Sequence, residues 1–394
     1  MTVRLKAGRS TWLSYRPFYA PPTPWERVAK QARYLRITIF NSFDELFHDD
    51  SSPFSLLERH PCGLCSHHYK TARNHGRVGP VAELALEFLR ATEAAAIAAG
   101  RMRGCGDNKA ADAAAVTAMR AIFDTIAFDG RVAIGEGERD DAPMLWIGEP
   151  LGSCQGDFGA VAVDIAVDPL ECTNNCARNE PDALAVMAAA PRGSLLHAPD
   201  CYMNKIAGPP ELAGHVSLDA SVADNLAAAA NVLGKPVSEV RVIVLKRSRH
   251  KRLIAEIHAA GARLQLIGDG DIAGALRAAT GEVDLLLGIG AAPEGVIAAT
   301  ALRGIGGVFE GRLHFHEPEF RSRAVEMLGE DVDRLWQRDE LCTSDDAVFV
   351  ATGVCDGWLP GPKAGEGGTV TTSRIITVAD GRDEIIRHEH APAS

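Results

Sequence analysis

The chain has no surplus of positive charge: 41 Lys and Arg are outnumbered by 52 Asp and Glu over 394 residues, a formal net charge of −11. That excludes a general nucleic-acid binder, whose affinity rests on neutralising phosphates. No apolar run approaches the roughly 20 residues a membrane-spanning helix needs, and no apolar core of a secretory signal is found. Seven of the nine cysteines are scattered in no framework spacing. With no export signal, they are expected to be reduced thiols in a cytoplasmic protein. No tandem repeat of fixed period is found. What is there, 46% hydrophobic and 24% charged residues, is ordinary for a globular protein of two packed domains or one large α/β domain.

The average conceals a seam near residue 80. Residues 1–80 hold 12 Lys and Arg against 6 Asp and Glu, which leaves 29 against 46 in the remainder. Four of the five tyrosines also precede residue 80. Arg4, Lys6, Arg9 and Arg16 come before the first acidic residue, Glu26, a bias shared with organelle-targeting peptides. The prolines Pro21, Pro22 and Pro24 and the missing amphipathic stripe argue against that reading. Cys62-x-x-Cys65 with His60, His67, His68 and His75 has ligand types suited to zinc, but lacks the longer finger that separates two ligand pairs. A metal knuckle, a plain loop and a leader translated ahead of a complete enzyme all remain open. Residues 1–80 are taken as a basic extension of unknown role, and 81–390 as the catalytic region.

From residue 81 an α/β order sets in. Helical spacing predicts helices over 81–99 and 110–127, and near 250–260, 271–280 and 294–303. Short β-branched runs predict strands at 131–134, 161–167, 240–245, 264–267 and 283–287, with a closing pair at 347–351 and 369–378. Loops are expected at 152–159 and 355–368. The alternation implies sheets with helices on their faces, in two α/β halves with the site between them.

Five carboxylates, Asp112, Glu136, Asp168, Glu171 and Glu294, fall where a strand has ended or a helix is starting. Strand ends are where α/β folds put ligands. Like charges gathered in a cleft repel unless divalent cations neutralise them, and oxygen-only ligands select Mg²⁺ or Mn²⁺. Taken singly, each has a plainer reading as a solvated turn or helix face. Gly288-Ile-Gly290 reads as a glycine turn between strand and helix, but Glu294 would oppose the pyrophosphate of a dinucleotide there. Lys246-Arg247-Ser248-Arg249-His250 follows a strand and is a candidate anchor for a non-reacting phosphate, or else a solvated loop. Asp269-Gly270-Asp271 is suited either to sugar hydroxyls or to capping a helix.

The segments 104–112 (GCGDNKAAD), 132–149 (VAIGEGERDDAPMLWIGE), 163–173 (VDIAVDPLECT), 197–205 (HAPDCYMNK), 267–271 (IGDGD) and 285–296 (LLLGIGAAPEGV) occur in a telling order. Over residues 81–390 the chain resembles the class II fructose-1,6-bisphosphatases, including the dual fructose/sedoheptulose bisphosphatases of photosynthetic bacteria. The resemblance implies a layered αβαβα sugar-phosphatase sandwich of the lithium-sensitive phosphatase superfamily. It implies Mg²⁺ or Mn²⁺ at Asp112, Glu136, Asp168, Glu171 and Glu294, and a homo-oligomer acting on a small sugar bisphosphate. Substrate contacts are implied at Glu171, Cys172, Thr173, Tyr202, Arg247, Ser248, Arg249, Asp269, Gly270, Asp271 and Ala291. The implied catalytic groups are Asp140 and Thr173. The implied reaction is metal-dependent hydrolysis of the 1-phosphate of fructose 1,6-bisphosphate.

The chain departs from that family at Cys172 and Ala291, where the family has glycine. It also inverts the usual Lys-Asn order at Asn108-Lys109, and carries extra residues around 155–160. Two alternatives are therefore carried forward. One is a weakly active sugar-phosphate-binding homologue; the other is a phosphatase of the same fold acting on an inositol or nucleotide phosphate.

Overall fold

A computed structural model describes residues 79–135 and 144–392. Glu136, Asp140 and the Cys62–Cys65 cluster with its histidines lie outside the described residues, as do the proposed boundary at residue 80 on its amino-terminal side and the segment before it.

The first two helices show how small side chains build this fold. Helix α1 (Ala85–Gly100) buries Phe88 and Leu89 together with five alanines, so its backbone lies close against a sheet. Helix α2 (Asn108–Phe123) starts where the Asp107 carboxylate accepts a hydrogen bond from the Ala110 N–H at 3.0 Å, an N-cap. It ends four residues before the expected 127, because the chain turns to bury Ile126 and Phe128, the latter edge-on to Phe88 at 5.6 Å.

The described strands form two sheets. The first runs β14 (Arg382–His390), β13 (Thr369–Thr377), β11 (Val348–Gly353), β4 (Leu184–Pro191), β3 (Ala162–Glu171), β1 (Asp129–Gly135) and β2 (Pro150–Leu151), with β12 (Lys363–Ala364) also on β13. Only β1 and β3 are parallel. The second sheet runs β10 (Trp336–Gln337), β9 (Val308–His314), β5 (Tyr202–Gly208), β8 (Leu285–Ala291), β6 (Arg241–Leu245) and β7 (Arg263–Ile267). Here β8, β6 and β7 are parallel, each feeding a helix.

Three apolar cores separate five layers. One lies between α1 and α2 and the first sheet. The largest, between the sheets, contains α6 (Asp271–Ala279) and α7 (Ala292–Ile305). The third joins the far face of the second sheet to α4 (Val222–Val232) and α5 (Lys251–Ala260). The small helices α3 (Thr173–Arg178), α8 (Pro318–Leu328) and α9 (Arg338–Leu341) complete the set. The αβαβα sandwich implied by the resemblance is therefore the architecture found.

Two local expectations are corrected. The strand expected over 161–167 runs on through Asp168 and Pro169 to Glu171, with one extra residue on β3 relative to β4 between Asp168 and Glu171. The expected glycine turn at Gly288-Ile289-Gly290 is a strand, because β5 pairs with it residue for residue and carries the ladder to Ala291. Side chains from neighbouring elements occupy the space that a Cβ would need: His250 Nε2 at 3.0 Å for Gly288, and the Asp271 carboxylate for Gly290.

The parallel core of the second sheet is tied at its base by buried Asp284. It accepts from the Arg241 N–H at 2.7 Å and pairs with Lys235 at 2.7 Å. Burial opposes the charge, but the Lys235 ammonium and the Arg241 N–H outweigh it and hold the Asp284 carboxyl below the usual aspartate range. A depressed folded-state value means stabilisation that is present above the ordinary aspartate pKa of about 3.9 and lost as pH falls through the lower folded value. Asp284→Asn is thus expected to lower the urea midpoint at neutral pH. The gap from wild type should narrow as the pH drops below about 4. A gap that stayed constant with pH would show that the carboxylate charge is not what matters.

Candidate active site

The bulge in β3 determines the site. Side chains three apart on a regular strand face opposite ways, yet Asp168 and Glu171 both line one cleft, because the extra residue re-aims the second of them. Asp168 accepts from the Leu170 N–H at 3.0 Å, which fixes the loop of the bulge. Cys172 then adopts a left-handed conformation, φ 67°, and Thr173 starts α3. From the second sheet come Tyr202 on β5, Arg247 and Arg249 beyond β6, Asp269 beyond β7, and Gly290 and Ala291 on β8. Asp271 and Glu294 enter from the first turns of α6 and α7. The cleft encloses about 650 Å³, its open mouth included.

Its floor is acidic and buried. Glu171, 4% exposed, accepts from the Ile272 N–H at 3.2 Å through Oε1, while its Oε2 has no hydrogen-bond partner among the described residues. Burial first, then the charges of Asp271, Glu294 and Asp269, push its carboxyl well above the usual range. A buried carboxylate oxygen of this kind, beside Asp168 and Glu294, has the donor chemistry that divalent cations require, so these residues fit the metal that the fold implies. Burial pushes Asp269 upward too, against the pull of Arg247, with which it pairs at 3.0 Å.

Two guanidinium groups, of Arg247 and Arg249, line the same cleft. Arg249 donates to the Ile289 carbonyl from Nε at 3.0 Å and Nη2 at 2.7 Å, and lies 4.7 Å above the Tyr202 ring. His316 covers Tyr202 from another direction at 4.9 Å. Buried His250 locks this loop: its Nδ1 meets the Leu245 carbonyl at 2.7 Å and its Nε2 accepts from the Ile289 N–H at 2.7 Å. With Nε2 accepting, the ring is neutral, in keeping with the downward push of burial on its pKa.

The structure therefore brings together Asp168, Glu171, Cys172, Thr173, Tyr202, Arg247, Arg249, Asp269, Asp271, Ala291 and Glu294. Asp112, half-buried on α2, and Ser248 do not line the cleft. Gly270 lies just behind its wall, with φ 94° and a would-be Cβ only 3.4 Å from Cys172 Sγ. One residue escapes the sequence patterns: Lys205, 2% exposed, whose Nζ bonds Asp271 Oδ2 at 2.6 Å. A lysine in the middle of the apolar strand Tyr202–Gly208 is the signal that could have revealed it.

Burial first, then the charges of Glu171, Asp269, Asp168 and Asp271, push the Cys172 thiol well above its usual pKa, which disfavours the thiolate that a nucleophile needs.

A five-layered α/β sandwich with buried carboxylates and two arginines in one cleft fits an enzyme that handles phosphate esters. Residues 82–390 match the family model described as bacterial fructose-1,6-bisphosphatase, glpX-encoded, and the chain belongs to that family. It is a phosphoric monoester hydrolase. A relative from Prochlorococcus marinus (strain MIT 9303), named D-fructose 1,6-bisphosphatase class 2/sedoheptulose 1,7-bisphosphatase, is 44% identical over 312 residues, covering 75% of this chain and 92% of its own. A relative of the same name from Synechococcus sp. (strain JA-3-3Ab) is 44% identical over 320 residues, with the same coverage.

The left-handed backbone at Cys172 costs a non-glycine residue about 1–2 kcal/mol. Cys172→Gly is expected to unfold at higher urea than Cys172→Ala, which keeps the strain and loses the thiol contact. A Cys172→Ala variant at least as stable as Cys172→Gly would refute the strain.

Proposed function

We propose that this cleft removes the 1-phosphate of fructose 1,6-bisphosphate, and of sedoheptulose 1,7-bisphosphate as a second substrate, through the residues gathered here. The observation that carries the reading is the presence of Asp168, Glu171 and Glu294 together with Arg247 and Arg249 in one cleft. Acids able to hold cations suit the reacting phosphate, and guanidinium forks suit a second, distal one. Mg²⁺ or Mn²⁺ held by Asp168, Glu171 and Glu294, with Asp112 and Glu136 as further candidate ligands, would neutralise phosphoryl charge and lower the pKa of a bound water.

The protein's own residues divide the rest of the work. Thr173, at the start of α3, offers its hydroxyl to align the attacking water, with Asp140 as the acidic catalytic partner. Arg247 and Arg249 present guanidinium forks to the distal phosphate. Tyr202, stacked under Arg249, keeps that fork rigid, so binding energy goes into orientation. Lys205 offsets the charge of Asp271, which lets a fourth acid sit beside Asp168, Glu171 and Glu294 without adding its full repulsion. The proposal includes a cytoplasmic, homo-oligomeric enzyme whose catalytic region begins near residue 81. No helix among the described residues is long and apolar enough to cross a membrane.

A second reading, a weakly active homologue that binds sugar phosphates, is favoured by Cys172 and Ala291 on the cleft wall. Phosphate release from both bisphosphates, with Mg²⁺ or Mn²⁺ and with excess EDTA, separates the two. Activity should vanish in EDTA, and Glu171→Gln should reduce kcat by about 100-fold or more. Arg249→Ala should act mainly on KM. Turnover that persists in EDTA would overturn the proposal, and tight binding of fructose 1,6-bisphosphate without turnover would establish the second reading.

A further inference from the structure

At the far edge of the first sheet, Glu93 of α1 points its carboxylate between two histidines of the outermost strand, β14. Glu93 is 1% exposed, yet no arginine or lysine is paired with it among the described residues. Its partners are His388 Nδ1, 3.1 Å from Oε2, His390 Nε2, 3.7 Å from Oε1, and the Thr371 hydroxyl, which donates to Oε1 at 2.9 Å. His388 and His390 stand two apart on one face of β14, and their rings lie 4.4 Å from centre to centre. One ligand atom from each of the three residues falls within 4.8 Å of the other two.

From that spacing the three side chains would have to draw in by up to about 1.4 Å to coordinate a tetrahedral ion. Bonds of about 2.0–2.2 Å to two imidazole nitrogens and a carboxylate oxygen set the ligand atoms roughly 3.4 Å apart. Two imidazoles with one carboxylate favour zinc and its transition-metal neighbours over Mg²⁺ or Ca²⁺. Thr371 already holds Glu93 Oε1, the role of an outer-shell partner that orients a ligating carboxylate. The His388 side chain is 53% exposed, so solvent reaches the group and water can supply a fourth ligand. None of the three residues lines the catalytic cleft.

We propose that Glu93, His388 and His390 form a second metal site, specific for a zinc-class divalent ion, that clips the edge strand β14 to helix α1. Without the ion, the His388 ring bonds Glu93 and the His390 ring meets the Thr371 hydroxyl at 2.9 Å, while the strand itself is held by its ladder with β13. With it, an edge strand that has a sheet partner on one side only gains a cross-link to a helix almost 300 positions earlier.

The test uses the full-length protein, stripped of metal by chelator and dialysed, then titrated with Zn²⁺ in saturating Mg²⁺ so that the carboxylate cleft is already filled. Bound zinc per chain, the thermal midpoint and Mg²⁺-dependent phosphatase activity are measured. Wild type is expected to take up one more zinc ion per chain than the His388→Ala/His390→Ala variant. Its midpoint should rise with zinc, while that of the variant does not, and both should keep their Mg²⁺-dependent activity. His388→Gln, which retains a hydrogen-bond donor toward Glu93, should likewise lose the zinc response, even if the double variant folds poorly. Cys62→Ser/Cys65→Ser should retain it, which separates this site from the amino-terminal cysteines. Equal zinc uptake and an equal rise in midpoint in wild type and the His388 and His390 variants would overturn the proposal.

Discussion

Buried carboxylates repel one another, and this structure is organised around making several of them share one floor. Asp168, Glu171, Asp271 and Glu294 are each at most 8% exposed. Their proximity is sustained by the elements they come from rather than by attraction: a bulged strand from one sheet, and two helix first turns that rise from the layer between the sheets. The apolar core around α6 and α7 holds those helices in place. The buried ammonium of Lys205, paired with Asp271, takes up part of the negative charge. The rest leaves Glu171 with a raised pKa and an oxygen without a hydrogen-bond donor among the described residues, which is the condition a divalent cation relieves.

The arginine side of the cleft obeys a different constraint. A guanidinium that is to bind phosphate must be held without using all its donors, and here the backbone does the holding. His250 bridges the end of β6 to β8 through the Leu245 carbonyl and the Ile289 N–H, and Arg249 rests on the Ile289 carbonyl and the Tyr202 ring. Both arrangements need the strand β8 to carry glycine at 288 and 290, because a side chain at either place would enter the space of His250 or Asp271. Glycine here serves close approach, where a dinucleotide turn would have needed it for curvature.

Part of the layer order was legible from hydrophobic period, since β6, β7 and β8 and the helices that follow them fall within a few residues of their expected positions, whereas β5, β9, β10 and α4 were not anticipated. What escaped had physical reasons. The strand β4 is Ala-rich and buried on both faces, so it shows neither alternation nor β-branched enrichment. The strand β3 runs through Asp168-Pro169, past the expected end at 167, because proline is tolerated at a bulge. Among the site residues, Arg247 and Arg249 line the cleft while Ser248 between them does not, an outcome decided by the 3₁₀ turn Ser248–His250.

The sequence by itself determined the chemistry of the parts: acids at strand and helix ends, a basic pair after a strand, small residues where layers meet, and no cationic surplus for nucleic acid. Local pattern carries that much because residue type and short-range period are local properties. Only the tertiary structure decided which of these groups share a cleft, that Lys205 is buried against Asp271, and that Glu93 meets two histidines from the other end of the chain. Those juxtapositions depend on strand register and on the packing of distant segments, and neither is written in any single stretch of the sequence.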